Sequence, residues 1–318
     1  MADVRVGVVS WNTATLLDRC LAALPAALAG VDADVVVVDN ASTDDSVAVA
    51  SSHGHVTVVA NAANDGYARG MNRALAGTDA PVLIALNPDT EAPAGSLATL
   101  ARRVLERPDT GLVVPRLLNA DGSLQPSAQR FPSVPLALVA GFVPPRWQRG
   151  GIGRRWWLPG AAPHDRSGPI DWAIGAVHVI RAEALGGAPP YSDRWFMYVE
   201  DIELCWRLQR DGWKVRLEAD VEIPHLGNAA GEQAWGWQRE QRVWANSYDF
   251  DAVARGRWHA RAWAAVNLAA TSAHFALNRL GARADGDPGA RRRHAAGQLR
   301  AVLPVHARAL LHGPPAPS

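Results

Sequence analysis

Lysine is almost absent from this 318-residue chain: Lys214 stands alone, and the other 31 basic residues are arginine. No Gly-Lys-Ser/Thr phosphate loop can be written, which excludes Walker-type NTPases. Cysteine is nearly as scarce. Cys20 and Cys205 are too few for a disulfide framework and lack metal-ligand spacing, so a reducing cytosol is the expected home. Excess charge of one sign is missing too, since 32 Lys+Arg against 31 Asp+Glu leave +1, and without a global field nucleic acid is not an expected partner. The start offers no signal peptide: Val4-Arg5-Val6-Gly7-Val8-Val9 has neither basic stretch, long apolar run nor cleavage site, and the chain is expected to stay inside the cell. The glycine turn Gly-x-Gly-x-x-Gly of a nicotinamide-dependent dehydrogenase is also lacking, with Ser10-Trp11-Asn12-Thr13 in its place.

What is present is a core. At 48% hydrophobic residues the chain has material for one large α/β domain or two ordinary ones, and general disorder is excluded. From residue 4 to 118, β-branched runs alternate with Ala/Leu-rich stretches, the pattern of a parallel sheet covered by helices on both faces. The expected strands are 4–10, 34–39, 56–61, 82–86 and 112–115, with helices over 14–28, 44–51, 67–76 and 96–106. Val35-Val36-Val37-Val38 shows no polar alternation, so that strand is buried on both faces. Residues 130–169, rich in Pro, Gly, Arg and Trp and without a clear period, read as a mobile lid loop. A strand over 170–180, a helix from Glu200 to about Gly212 and a strand over 214–218 then return to the sheet.

Past Gly227 the chain reads as helical and rich in Arg and Trp. The 17 residues between Arg261 and Arg279 carry no charge, the short limit for a membrane span, but Asn267, Thr271, His274 and Asn278 form one polar stripe of an amphipathic helix. Such a helix either packs on the protein or lies at a membrane surface, with Trp258, Trp263, Arg257 and Arg261 as interfacial residues. From Gly281 on, the sequence reads as a frayed basic tail.

In an open parallel sheet, ligands bind beyond the carboxyl ends of the strands, so polar residues placed there carry the chemistry. Four such groups occur: Ser10-Trp11-Asn12, Asp39-Asn40-Ala41-Ser42, the stretch from Asn61 to Asn72, and Asn87-Pro88-Asp89-Thr90. Asp39 could accept hydrogen bonds from a base or ribose, or close an Asx turn. In Asn64-Asp65-Gly66-Tyr67-Ala68-Arg69-Gly70-Met71-Asn72, Arg69 could meet a phosphate with its planar fork, or stay solvated at a helix start. A carboxylate at Asp89 ends a buried strand and costs free energy without a cation or hydrogen bonds; Mg²⁺ or Mn²⁺ suits it, being held by one or two carboxylates plus substrate phosphates. Glu200 and Asp201 fall at a helix start, where the macrodipole favours negative charge, and can divide labour between capping and proton abstraction. His225 follows the last strand and could be a metal or phosphate ligand, or a structural histidine.

The order of these groups identifies the chain more closely than any one of them. Val-Val-Ser-Trp-Asn, Val-Val-Asp-Asn-Ala-Ser-Thr-Asp, Asn-Asp-Gly-Tyr-Ala-Arg-Gly-Met-Asn, Leu-Asn-Pro-Asp-Thr and Phe-Met-Tyr-Val-Glu-Asp follow one another as in a family 2 glycosyltransferase of the GT-A fold, and the set resembles the rhamnosyltransferase-like branch. The resemblance covers about residues 4–228 and implies a Rossmann-like, mostly parallel sheet flanked by helices. In its terms residues 1–228 are the transferase domain, with 1–118 binding the nucleotide sugar and 119–228 the acceptor, and 229–318 are a helical extension.

It further implies roles. Ser10, Asn12, Asp39, Asn40, Asn64, Gly66, Arg69, Asn72, Asn87 and Asp89 would bind the nucleotide-diphosphate sugar; Asp89 and His225 would hold the divalent metal; Asp201, with Glu200, would supply the base of an inverting transfer. Trp172, Gly175 and Ala176 would line the acceptor pocket. Rhamnose from dTDP-L-rhamnose is the implied donor, with UDP- and GDP-sugars as alternatives, and the acceptor is a saccharide, a lipid-linked one or a natural product. Three positions depart from the family's pattern: Asn87 for the first acid of Asp-x-Asp, Glu203 where relatives often carry Asp, and Trp11 for Tyr. A processive synthase is not implied, because Gln238-Arg239-Glu240-Gln241-Arg242-Val243-Trp244 lacks the Gln-x-x-Arg-Trp spacing. A non-catalytic nucleotide-sugar- or glycan-binding protein is the rival of another class, and a homodimer is left open.

Overall fold

The alternating first third folds as its pattern predicts, in a computed structural model that describes residues 2–148, 150–156, 164–226, 238–281 and 287–313. Strands β1 (Val4–Ser10), β2 (Ala33–Asp39), β3 (Val56–Ala60), β4 (Val82–Leu86) and β5 (Thr110–Leu118) alternate with helices α1 (Ala14–Ala27), α2 (Ser46–Ser52), α3 (Tyr67–Leu75) and α4 (Ser96–Glu106). Short β6 (Leu124–Gln125) and β7 (Ala128–Gln129) follow, and after α5 (Val134–Phe142), α6 (Pro145–Gln148) and α7 (Gly151–Trp156) come β8 (Gly168–Ile170), β9 (Trp172–Ala173), β10 (Val177–Arg181), α8 (Glu200–Arg210) and β11 (Lys214–Pro224). The last elements are α9 (Gln238–Arg255), α10 (Arg257–Gly281) and α11 (Asp287–His312). The chain forms two compact units, Met1–Phe131 with Ala162–Gln233 and Pro132–Ala161 with Ala234–Ser318.

In the first unit the main sheet has the order β3-β2-β1-β4-β10-β5-β11-β8, with β6 beside β5. Its strands are parallel except β10, β8 and β6, which run against their neighbours. Val35 to Val38 are all buried, as the lack of polar alternation predicts. Leu17, Leu21 and Leu24 of α1 and Leu97, Leu100 and Val104 of α4 pack with β1, β2 and β4 into one core. Each such fully buried leucine contributes about 1.5–3 kcal/mol by area.

Parallel pairing brings the carboxyl ends of β1, β2, β3 and β4 to one edge, where Ser10 lies level with Asp39 and Asp39 with Ala60. The antiparallel β10 begins at that edge, its Val177 level with Leu86, and the parallel β11 ends there, Pro224 beside Leu118.

Two expectations change in this unit. Residues 170–180 form three short strands, because Asp171 turns aside to accept from the Phe131 N–H (2.9 Å) and from Arg130 (3.2 Å), and Gly175 forms a turn. The strand from Lys214 runs on to Pro224 with a register shift between Glu218 and Glu222, where the buried Glu218 is paired with Arg103 (2.9 Å) and Arg107 (2.5 Å).

The second unit corrects two others. Residues 134–156, read as part of a period-free lid, carry three helices; of that lid, residues 149 and 157–163 lie outside the described ones. Ser133 starts α5 as N-cap, its hydroxyl accepting from the Leu136 N–H (3.3 Å), and Pro135 sits in the first turn, where a missing N–H costs nothing. The stretch read as a frayed tail contains the 26-residue α11.

Ala137, Tyr248, Trp263, Ala264 and Ala309 form the core of this unit. Two members of the polar stripe of α10 bond other helices: Asn267 donates to the buried Tyr248 hydroxyl (3.1 Å), which also meets His306 Nδ1 (2.8 Å), and the exposed His274 bonds the Gly141 carbonyl through Nε2 (2.8 Å). Trp263, read as interfacial, is buried, whereas Trp258 is exposed. No described helix is long and apolar enough to cross a membrane.

Candidate active site

The turns at the carboxyl edge are tied to one another before they can touch a ligand. Asn12, at φ +53°, donates its N–H to the Ser42 hydroxyl (2.8 Å) and accepts from the Thr43 N–H (2.7 Å), joining the turns after β1 and β2. Ser10 bonds Thr13 (3.0 Å). Asp39 is buried and takes both the Ser42 N–H (2.8 Å) and the Ser42 hydroxyl (2.5 Å), the Asx turn weighed above. Asn40 is buried as well, donating to the Gly66 carbonyl (3.0 Å) and accepting from Asn61 (2.8 Å), so it clamps the turn before α3. In that turn Asn64 accepts from the Gly66 N–H (3.0 Å). Gly66 has φ +85°, and a Cβ there would stand 2.3 Å from the Phe196 carbonyl, so only glycine lets the loop before α8 lie against it.

That loop is strained. Tyr198 (φ +70°) and Val199 (φ +85°) both occupy the left-handed region immediately before α8, where a β-branched residue is a genuine outlier. With Asn12 and Ala41 they are the non-glycine residues of positive φ among the described ones, and all four flank this edge. Backbone strain of about 1–3 kcal/mol per residue persists only where the surroundings enforce it, and it concentrates at functional sites.

Val199 delivers two carboxyls at the start of α8, Glu200 buried and Asp201 half-buried. Asp201 Oδ1 accepts from its neighbour Ile202 N–H (2.8 Å) and Oδ2 from the Gly175 N–H (3.3 Å). Burial pushes the Asp201 carboxyl above its ordinary value, these N–H donors working against the shift. Burial also raises Glu200, and the charge of Asp201 raises it further. Glu200 Oε2 has no hydrogen-bond partner. Beneath the pair, the Tyr67 hydroxyl donates to the Gly175 carbonyl (3.3 Å), and the Tyr191 ring meets Tyr67 edge-on. His178, held neutral by burial, donates from Nε2 to the Ala173 carbonyl (3.1 Å) and accepts from the Tyr191 hydroxyl (3.0 Å).

The same short segment connects to β4, where the Asn87 N–H donates to the Ala176 carbonyl (2.9 Å). Two residues on, Asp89 Oδ1 lies 3.1 Å from His225 Nε2, both side chains buried. His225 Nδ1 meets Gln125 Oε1 (2.7 Å), and since an amide oxygen only accepts, Nδ1 carries a proton there, which leaves Nε2 facing Asp89. Although the separation is that of an ion pair, the angles are not those of a hydrogen bond, and both atoms stay unsatisfied. A buried carboxylate oxygen and an imidazole nitrogen side by side, both unsatisfied and the ring oriented by an outer partner, are groups that a divalent cation would fit as neighbouring ligands. Among the described residues no cluster of three or more His, Cys, Asp or Glu side chains is placed to hold a metal, so further ligands would come from substrate. The Tyr67 phenol lies close enough to Glu200, Asp201 and Asp89 for all three charges to raise it, after burial.

Other expected residues are placed apart. Arg69 is solvated, 3.8 Å from Asp193, and Asn72 spends its amide on the Tyr191 backbone (2.7 and 3.0 Å). Both line a cleft of about 650 Å³ with Tyr191, Glu203 and Arg207, whose lining includes none of Asp39, Asp89 and Asp201. Trp172 is buried, its Nε1–H donating to the Arg130 carbonyl (2.8 Å), and Ala176 has no exposed surface. Tyr67, Tyr191, His178 and Gln125 were not singled out from sequence; only His178 left a signal there, as a lone polar residue in the apolar run Val177–Ile180.

A family model for glycosyl transferase family 2 matches residues 6–159. The N-acetylglucosaminyl-diphospho-decaprenol L-rhamnosyltransferase of Mycobacterium tuberculosis is 29% identical over 239 residues, 71% of this chain and 76% of that protein. Among solved structures, the mannosyltransferase PcManGT of Pyrobaculum calidifontis, in complex with GDP-Man and Mn²⁺, is similar with a TM-score of 0.56 at 18% identity, over 98% of this chain and 87% of that one. S. aureus TarS in complex with UDP-GlcNAc is similar at 0.52 and 14% identity, over 97% and 83%. At such identities these likenesses show fold: a mixed α/β architecture of the GT-A kind, with a mostly parallel sheet flanked by helices and a helical C-terminal region.

Proposed function

We propose, for a chain that belongs to glycosyl transferase family 2 on its rhamnosyltransferase-like side, that it transfers L-rhamnose from dTDP-L-rhamnose to a hydroxyl of a polyprenyl-diphosphate-linked saccharide. The observation that carries the reading is the Glu200–Asp201 pair, set behind the strained turn Tyr198–Val199 and joined through Gly175–Ala176 to the strand end that bears Asp89. The rhamnosyl group and the acceptor class follow the relative whose name states rhamnosyl transfer to a decaprenol-linked sugar, and dTDP as its carrier follows the resemblance read from sequence.

In this reading the acceptor hydroxyl attacks the anomeric carbon in line with departure of the nucleoside diphosphate, and the configuration inverts. Asp201 takes the hydroxyl proton. Its two N–H donors fix the carboxylate's direction, and burial raises its proton affinity toward neutrality, where a general base is most effective. Glu200, which holds its proton more tightly, limits repulsion within the pair and offers Oε2 to a sugar hydroxyl. Asp89 and His225 would hold a divalent cation, Mg²⁺ or Mn²⁺, whose chemistry is to offset the charge that builds on the leaving diphosphate.

The test is a donor panel of dTDP-rhamnose, a UDP-sugar and a GDP-sugar, with and without Mn²⁺, read by melting temperature and by product formation on a lipid-linked acceptor. The rhamnosyl donor is expected to raise the melting temperature most, because a ligand bound only by the native state must do so, and to give a product of inverted configuration. Binding without transfer to any acceptor hydroxyl would move the assignment to a non-catalytic nucleotide-sugar protein.

A further inference from the structure

We propose that the helical second unit docks on an anionic lipid bilayer through the end where α10 stops and α11 begins. The near-zero net charge of the chain conceals a division. Residues 132–161 and 234–318 hold 16 arginines and 5 acids, +11, while the remainder holds 16 basic and 26 acidic residues, −10. Two of the five acids, Asp249 and Asp251, are buried, and Asp251 is spent on Arg255 (3.0 Å) and His259 (2.6 Å). The outward field of this unit is therefore positive.

The basic residues meet apolar ones at one place. Ala264 and Ala309 share the core, and the Arg261 guanidinium reaches the Leu311 carbonyl (3.3 Å), so α10 and α11 run antiparallel with residue 280 about level with residue 293. The last turns of α10 expose Leu277 (65%), Leu280 (63%) and Arg279, and the level turns of α11 expose Arg291, Arg292 and Arg293. Helix α5 adds to that surface. Its Gly141 is bonded by His274, one turn before Leu277, and the adjoining Phe142 (51%) and Leu138 (46%) are exposed.

Large apolar side chains ringed by arginine suit a surface with anionic head groups above a hydrocarbon interior. A duplex nucleic acid would leave the leucines and Phe142 in water, and a second +11 unit would be repelled. The opposite end of the hairpin also exposes Trp258 and Leu311, beside Arg257 and Arg261, but it lacks a run of three consecutive arginines.

The experiment is co-sedimentation of the full chain, without donor, with phosphatidylcholine vesicles and with vesicles about one third phosphatidylglycerol, so it is independent of the transfer chemistry. Retention is expected on the anionic vesicles alone, and about 1 M salt should release it, the screening length then being about 3 Å. Arg291→Glu/Arg292→Glu/Arg293→Glu should lower the affinity by at least roughly 10²-fold, the loss of three basic residues at about 5-fold each, since reversal of charge adds repulsion. Leu277→Asn/Leu280→Asn, which leaves the charge alone, should lower it about 10-fold. Circular dichroism melting is expected to show both variants folded, as all five side chains are exposed, and Arg291→Gln/Arg292→Gln/Arg293→Gln, which keeps polar side chains there, should weaken retention in the same direction. Equal retention on neutral vesicles, no retention, or unchanged affinity in the folded triple variant would overturn the proposal. So would a DNA duplex bound as well as the vesicles and insensitive to the leucine pair, or light scattering that shows the leucine variant dissociating an oligomer.

Discussion

His225 turns Nε2 to within 3.1 Å of Asp89 Oδ1 while Gln125 holds its other ring nitrogen at 2.7 Å, a contact across 100 residues of sequence. Gln125→Leu removes the partner that fixes the ring and tautomer. It is expected to weaken Mn²⁺ binding in the presence of nucleoside diphosphate about 10-fold, the usual effect of losing an outer hydrogen bond, and His225→Ala should weaken it more. Titration calorimetry reads both values; unchanged affinity in the pair would remove the metal assignment.

Asp201→Asn keeps the shape and one of the two N–H contacts, since its NH2 cannot accept from the other, and it cannot take a proton. Transfer should fall at least about 10²-fold while donor affinity stays within about 2-fold of wild type. Near-normal turnover in this variant would move the base elsewhere.

The two carboxyls predict opposite trends with pH. Asp201 must be ionised to act, so turnover should rise with pH through about 6, where burial has moved it. Stability should run the other way. The folded state keeps the Glu200 proton up to about 8, whereas the unfolded chain releases it near its ordinary value, so the contribution is whole below that value and is lost as pH climbs to 8. Glu200→Gln should therefore be as stable as wild type at pH 4 and about 1–3 kcal/mol more stable at pH 8, measured by urea unfolding. A constant difference across that range would contradict the burial argument.

Val199→Gly relieves a β-branched residue at φ +85°. The strain released, about 1–3 kcal/mol, is offset by the loss of a buried valine side chain of about the same worth, so stability should change by no more than about 1 kcal/mol while kcat drops because the loop no longer enforces the position of Asp201. A loss of several kcal/mol together with unchanged kcat would show that the strained loop serves packing instead.

Much of this architecture can be read from residues alone where local chemistry and tertiary packing agree. The first four strands and α4 lie within a residue of the expected bounds, because unbroken Val/Ile/Leu runs admit little besides a doubly covered parallel strand. Reading fails where a distant group overrides the pattern. The run 170–180 is broken because Asp171 serves Phe131 and Gly175 serves Asp201, bonds that its own periodicity does not encode. Helix α5 escaped notice because its nine residues are apolar on nearly every side, leaving no 3.6-residue stripe to find. At the site, Asp89, Asp201 and His225 were legible as polar residues at strand ends or a helix start. Gln125 and Tyr191 were not, since each acts on a residue that only the folded sheet brings near.

Both cysteines lie in the interior of the first unit, and burial pushes the Cys20 thiol up to about 12 and the Cys205 thiol higher still. Neither will form appreciable thiolate at neutral pH, so both should ignore maleimide reagents. A cysteine introduced at any exposed position would then be the sole reactive sulfur on an otherwise native background. Fluorophores or spin labels placed one on each unit could report their separation as donor, cation and vesicles are added.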